Sequence, residues 1–339
     1  MSYYNKNNHE NNYPYENSFA NMTLSQLAQE KLNLLQARST YGSYVEIKKI
    51  WDTNIRPYIV DKDISEYNLQ DIDDIVNDLK YVGKSNKTIN RAMEKLNMFF
   101  NHAVDRDYIK KNPMSKFKWL PTNYEEMKIL TWEEFEKAVK FEKNYAFRCF
   151  FNLMFWTGIR IGEAIVLTWE DFNLVPGDGK VRIEKHLGKD GKIMPARKNV
   201  AKGYRSRVVT KYTIGIDDEL VTLLLDLKRI AALSYDFEES DYILGGKKIM
   251  SVETVRGHFN RDLKRAGLKH IRIHDLRHSA VAFLLNNTNL SIYQVAGRIG
   301  DTPRVVLRNY AHFYHNNDEK VTNAINAAKS ARKGQRNYE

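Results

Sequence analysis

Cysteine is nearly absent from this chain of 339 residues; the one present, Cys149, sits in the apolar run from Phe147 to Phe155. A single thiol closes no intrachain disulfide and builds no cysteine zinc cluster, so the fold needs no oxidising compartment. Cys149 reads as a small core hydrophobe. Long apolar runs are missing as well, which excludes a membrane-spanning helix. Residues 1–21 are rich in Asn and Tyr and have neither the apolar stretch of a secretory leader nor any helical period. They read as a disordered tail on a cytoplasmic protein. Acid is in deficit, with 42 Asp and Glu against 53 Lys and Arg, a net charge of +11. That surplus points to a polyanionic partner, nucleic acid before an acidic membrane surface, although many basic proteins bind neither.

What is present is mostly helical periodicity. Leu24, Leu27, Ala28 and Leu32 share one face, and further helices are expected over about 43–56, 69–79 and 87–104. Pro57 and the pair Asn112-Pro113 punctuate them. This predicts an all-helical domain over 22–116 and a proline-bearing linker over 117–128. A second domain is expected over 129–322, followed by a basic tail over 323–339. The second domain opens on Thr131-Trp-Glu-Glu134, the form of a capping box. An apolar helix over 143–156 should stop at Gly158, and another is expected from Arg160 to Asp171. Between Lys180 and Ile216 the pattern becomes β-type, with a turn at Lys189-Asp-Gly-Lys192. Helices resume at 217–232, 251–266, 274–286, 291–299 and 303–313. The fold class is therefore mainly α with a small antiparallel β-sheet in the second domain.

Four strings carry chemistry. Thr157-Gly-Ile-Arg160 sets an arginine at a helix start, where backbone N–H groups already favour anions, and Glu163 is placed to orient it. Taken alone it is more often a surface Arg–Glu pair. His274-Asp-Leu-Arg277-His278 puts imidazole and guanidinium on one helical face; the bland alternative is a solvated basic face. A phosphodiester suits such a face, since arginine holds its oxygens and histidine moves a proton near neutral pH. Ile299-Gly-Asp301-Thr-Pro303 leads into a helix capped by Thr302 that carries Tyr310 and His312. One tyrosine among 20 is by itself a packing residue. Lys202-Gly-Tyr-Arg205-Ser-Arg207 is a cationic turn feeding a strand.

Taken together and in this order, the strings resemble the tyrosine recombinase, or phage integrase, family. Thr-Gly-Ile-Arg160 matches its first arginine box, His274-x-x-Arg277-His278 its second, Tyr310-x-His312 its nucleophile box and Lys202 its hairpin lysine. The resemblance spans roughly 130–315; the N-terminal helices resemble the family's core-binding domain more loosely. It implies a two-domain DNA clamp in which Tyr310 attacks a phosphodiester, leaving a 3′-phosphotyrosine and a free 5′-hydroxyl. His274 would act as base or proton-positioning group, Arg160 and Arg277 would hold the non-bridging oxygens, and Lys202 would protonate the leaving oxygen. Neither metal nor nucleotide cofactor is implied. The implied partners are double-stranded DNA, three further copies of the chain in a synaptic tetramer assembled from free monomers, and directionality or DNA-bending proteins. Such a protein belongs with the nucleoid. Lys84, Lys87, Arg91, Arg205, Arg207, Arg256, Arg261 and Lys264 are candidate DNA contacts; Glu163, His278 and His312 are candidate supports. A separate arm-binding domain is not expected.

One position departs from the family. Where it carries a second histidine or a tryptophan after Ile299-Gly300, this chain has Asp301, which when ionised cannot donate a hydrogen bond to phosphate. Losing that bond costs about 1.5–3 kcal/mol, one to two decades in rate. Asp301 could instead cap the next helix or pair with a nearby cation. The departure leaves room for a non-catalytic DNA-binding relative. Two enzyme classes also compete with recombination. A type IB topoisomerase shares the chemistry, and a metal-dependent phosphohydrolase built on His274-Asp275 would require further His and Asp ligands at helix spacing, for which the nearest, His258 and His270, have no evident arrangement.

Overall fold

The computed structural model describes residues 22–122, 127–196, 198–202, 205–209 and 211–310, with Thr322, Ile325, Asn326 and Lys329 beyond. For 198–202 and 205–209 it describes the backbone alone. The expected tail over 1–21, nearly all of the basic C-terminal tail, His312 and the side chains of Lys202, Arg205 and Arg207 lie outside the described residues. The chain divides into two compact units, Met1–Glu125 and Glu126–Glu339.

Among the described residues the first unit is built on α1 (Leu24–Arg38), α2 (Tyr41–Ile50), α3 (Leu69–Tyr81) and α4 (Asn86–Asp105). Thr23, Thr40, Asn68 and Ser85 cap their starts by accepting backbone N–H groups. On α4, Ile89, Met93, Leu96 and Phe100 are buried together, and they pack with Leu24, Leu27, Ile72 and Leu79 in one core. The helix expected to run to Arg56 instead widens into a π turn at Trp51–Ile55 and tightens at Arg56–Tyr58. Pro57, lacking an N–H, cannot continue the ladder.

The second unit begins with α5 (Trp132–Lys140), α6 (Tyr145–Thr157) and the single turn α7 (Ile161–Ala164). The helix expected from Arg160 to Asp171 ends at that turn. Ala164, Ile165, Val166 and Leu167 are all buried, and the backbone bonds a distant loop, Ile243 N donating to the Leu167 carbonyl at 3.0 Å. The backbone of this run bonds to the distant loop instead of continuing the helical ladder, with Thr168 bridged to Tyr242. Short strands follow: β1 (Phe172–Asn173), β2 (Lys180–Ile183), β3 (Lys185–Leu187), β4 (Ile193–Pro195), β5 (Lys198–Lys202), β6 (Arg205–Val209) and β7 (Tyr212–Gly215). The small sheet is thus an antiparallel β1–β2–β7 sheet and two hairpins, β3–β4 and β5–β6. Lys202 pairs with Arg205 at the closing end of the second hairpin. Helices then resume as α8 (Asp218–Ala231), α9 (Val252–Arg265), α10 (Asp275–Asn287), α11 (Ile292–Ile299) and α12 (Pro303–Tyr310). The architecture is mainly helical with a small antiparallel sheet. Among the described residues no helix is long and apolar enough to cross a membrane.

Candidate active site

The site in the second unit is assembled by two left-handed glycines and a buried helix. Gly158 ends α6 at φ 65°. A Cβ there would approach Ile299 Cγ2 to 3.1 Å, so glycine is required both for the turn and for close packing. The turn aims the Gly158 carbonyl at Arg277, whose Nη1 donates to it at 2.6 Å. Two residues on, Arg160 stands at the N-cap of α7. Buried Glu163 accepts from the Arg160 backbone N–H at 3.0 Å and from its Nη1 at 3.3 Å. Glu163 thus caps the turn and fixes the guanidinium with one carboxylate, in keeping with the three-residue spacing. Tyr212 on β7 closes over Glu163, and burial first and Glu163 second push its phenol pKa upward.

Helix α10 is buried nearly all round. The solvated basic face is therefore excluded: Arg277 is 3% exposed. Burial and the neighbouring charge of Arg160 act against its own charge, and Asp301 favours it. His274 lies at the N-cap, just before the first turn of α10, with helical backbone angles. Burial, then Arg277, lowers its pKa. His278 stands one turn further, its ring edge-on to His274 at 5.3 Å.

Gly300, at φ 73°, ends α11 and turns the chain through Asp301 and Thr302 into α12. Thr302 Oγ1 accepts from Val305 N at 3.3 Å, the cap expected there. Asp301 pairs with cations: its Oδ2 accepts from Arg277 Nη2 at 2.8 Å and lies 3.7 Å from Arg160 Nη2. Arg160 Nη2 also donates to the Gly300 carbonyl at 3.4 Å. At the far end of α12, Tyr310 is 3% exposed among Val281, Leu285, Val295, Ile299 and Val306. Its hydroxyl is hydrogen-bonded to His278 Nδ1. Burial raises the phenol pKa, and the charge of Arg277 opposes the rise.

The structure therefore brings together Arg160, Glu163, His274, Arg277, His278, Asp301 and Tyr310. Lys84, Lys87, Arg91, Arg256, Arg261 and Lys264 are exposed, the first three on the other unit and the last three on α9. Arg91 is paired with Glu46, and Arg256 with Glu253. Two supports escape sequence reasoning. Arg298 donates to the Trp156 and Gly215 carbonyls at 3.0 and 3.1 Å, tying α11 to the end of α6 and to β7. Asp275 is buried and accepts from Arg272 N, Nε and Nη2. Tertiary packing alone gives Arg298 its partners, whereas Asp275 finds its own three residues upstream. A metal-dependent hydrolase would need His258 as a ligand; that imidazole instead bonds Glu142 at 2.8 Å and stacks on Phe147. Asp275, the carboxylate such a centre would be built on, is taken up by Arg272.

Burial pushes His278 down to about 4, with His274 adding to the effect. An unfolded histidine titrates near 6.5, so between those values the folded chain binds fewer protons than the unfolded one. The stabilisation is complete above pH 6.5 and is lost as pH falls toward 4. With the ring partly exposed we expect about 2 kcal/mol, against about 3 kcal/mol unscreened. Thermal melts of wild type and His278→Gln between pH 7 and pH 4 check this. The wild-type curve should fall more steeply, and parallel curves would refute a buried neutral imidazole.

Comparison with known proteins adds sequence and fold. The model of the phage integrase family matches residues 128–316. The ICEBs1 integrase of Bacillus subtilis (strain 168) is 27% identical over 299 residues, covering 83% of this chain and 77% of that protein. Among solved structures, a lambda integrase dimer bound to a core site superimposes with a TM-score of 0.65 at 18% identity, covering 87% of this chain and 97% of that one. The Tn1549 transposon integrase in complex with circular-intermediate DNA gives 0.69 at 17% identity, covering 90% and 99%.

Proposed function

The chain belongs to the phage integrase family and is a tyrosine-type recombinase, an enzyme of DNA cleavage and rejoining; on that premise we propose that Tyr310 is its nucleophile and that it serves a phage or other mobile element. What supports the assignment most is the convergence of Arg160 and Arg277 with two imidazoles and a buried phenol in one place. The two guanidiniums hold the non-bridging oxygens of one phosphate and stabilise the charge that develops on them. The Tyr310 oxygen bonds to phosphorus and the bond from phosphorus to the 5′ oxygen breaks. The phenol proton passes to His278, which is neutral near pH 7 and whose Nδ1 is already hydrogen-bonded to the hydroxyl. This moves the role of proton acceptor from His274 to His278, leaving His274 to donate to the phosphate. Lys202 delivers a proton to the departing 5′ oxygen. A second strand's 5′-hydroxyl reverses the step, so the bond energy is conserved without a nucleotide.

DNA is the partner this chemistry requires, held through the exposed lysines and arginines of both units. The helical unit would serve as core-binding domain and the second as catalytic domain, closing on a duplex as a clamp. Lambda integrase is a dimer on its core site, and we extend the assembly here to a homotetramer of protomers that are monomeric when free. The mobile-element role is supported by the ICEBs1 and transposon relatives.

The test is a nicked suicide duplex carrying the attachment sequence, incubated with the full chain in EDTA and run on a denaturing gel. We expect a covalent adduct that peptide mapping places on Tyr310. A salt-sensitive mobility shift without adduct would establish a non-catalytic binder. Relaxation of plasmids lacking the site would establish a topoisomerase.

A further inference from the structure

The pair of guanidiniums that would clamp the phosphate already holds an anion. Asp301 Oδ2 lies 2.8 Å from Arg277 Nη2 and 3.7 Å from Arg160 Nη2, so one carboxylate oxygen faces both cations. The remaining polar contacts of these arginines are supplied by the scaffold. Arg277 Nη1 is spent on the Gly158 carbonyl, and Arg160 Nη1 on Glu163. Asp301 thus faces the Nη2 of each arginine, hydrogen-bonded to that of Arg277 and 3.7 Å from that of Arg160, which also donates to the Gly300 carbonyl, so a phosphate approaching these Nη2 groups meets the carboxylate. The seat is accessible: the Asp301 side chain is 23% exposed and that of Arg160 33%, whereas Arg277 is buried behind them. Phosphate can thus arrive from the solvent side and push the carboxylate off, but two anions cannot use the same two donors at once.

We propose that Asp301 is a built-in competitor of the DNA phosphate: its carboxylate fills the seat between Arg160 and Arg277 in the free protein, and cleavage requires the phosphate to displace it. The proposal rests on reading those arginines as the clamp. Its consequence follows from chain order. Asp301 and Thr302 are the whole link between the Gly300 stop of α11 and the start of α12, and α12 carries Tyr310. A displacement that carried the backbone of Asp301 with it would move the start of the helix that keeps the phenol buried, and so would join occupation of the seat to exposure of the nucleophile. A neutral donor at this position would bind the phosphate more readily and would impose no such exchange.

The experiment measures the seat separately from activity. Inorganic phosphate is titrated against the full chain and followed by phosphorus-31 line broadening, for wild type, Asp301→Asn and Asp301→Glu. Asn removes the competing charge and should bind phosphate about tenfold more tightly, what one displaced charge-assisted hydrogen bond is worth. Glu keeps the charge and should stay near wild type, and it also reports whether the position tolerates change. On the suicide duplex, Asp301→Asn should cleave about tenfold faster in single turnover. A merely structural aspartate predicts the opposite sign, with weaker phosphate binding and slower cleavage in the Asn variant. Equal affinity in wild type and Asn overturns the proposal; so does equal tightening by Glu. If wild type forms no adduct the recombinase mechanism fails, yet the phosphate titration still decides whether the seat is contested.

Discussion

Tyr310→Phe is expected to bind attachment-site DNA with wild-type affinity, to within about twofold, and to form no covalent adduct at any time or pH. The substitution removes one oxygen and leaves the ring among Val281, Leu285, Val295 and Val306, so the packing of α12 on α10 and α11 is retained. The lost hydrogen bond to His278 is worth about 1 kcal/mol, which is too little to unfold the unit. Phosphate contacts, which dominate DNA affinity, are untouched. The chemistry, by contrast, loses its attacking atom: the other groups around the hydroxyl are guanidiniums, carboxylates and imidazoles, and the other phenol described nearby, Tyr212, is engaged with Glu163. The pairing of gel shift with denaturing gel reads both halves. An adduct in the Phe variant would mean that another of the 20 tyrosines attacks. Loss of the shift together with the adduct would make Tyr310 a packing residue.

The sequence made the membership of this site legible and its wiring illegible. Arg160, Arg277 and Tyr310 sit in local strings whose order marks the family, and the glycine stops at Gly158 and Gly300 follow from backbone sterics. Glu163 was readable too, because a contact three residues away on a turn is a local matter. The hydroxyl partner of Tyr310 was not. Between His274 and His278, four residues apart on one face, periodicity has no preference; the choice of His278 is made by how α12 lies against α10. Nor could composition say that α10 is buried on its charged side, since the groups that meet Arg277 come from the Gly158 turn, more than a hundred residues upstream, and from Asp301 beyond α11. Asp301 reads from its chemical type as a lost donor, a helix cap or the partner of a nearby cation, and the sequence does not say which cation. Its two cationic partners became apparent once both chain reversals were in place. The over-long helix after Arg160 failed for the reverse reason. A locally helical apolar run was captured by a β-bridge, Thr168 with Tyr242, that no local rule announces.

Arg277→Ala is expected to lower single-turnover cleavage by about a thousandfold, the scale of removing a preorganised donor from a developing oxyanion. It should also lower stability. Breaking a buried ion pair typically costs about 3–5 kcal/mol because the surviving charge is stranded. Here the stranded group is Asp301, which is 23% exposed and keeps Arg160 within 3.7 Å, so we expect about 2 kcal/mol. Chemical denaturation and cleavage measured on the same preparation separate the two effects, and two further variants show that they are separable. Arg277→Lys keeps a charge, but one ammonium cannot donate both to the Gly158 carbonyl and to an anion with the geometry of the planar fork. Its stability should lie near wild type while cleavage stays down by about a hundredfold. Arg277→Ala with Asp301→Asn removes both ends of the pair. It should recover most of the lost stability, since no charge is left without a partner, and of the lost rate at most about the tenfold that removal of the competing carboxylate gives. Recovery of the full rate in the double variant would mean that Arg277 acts only by restraining Asp301, and the phosphate clamp would then consist of Arg160 with other donors.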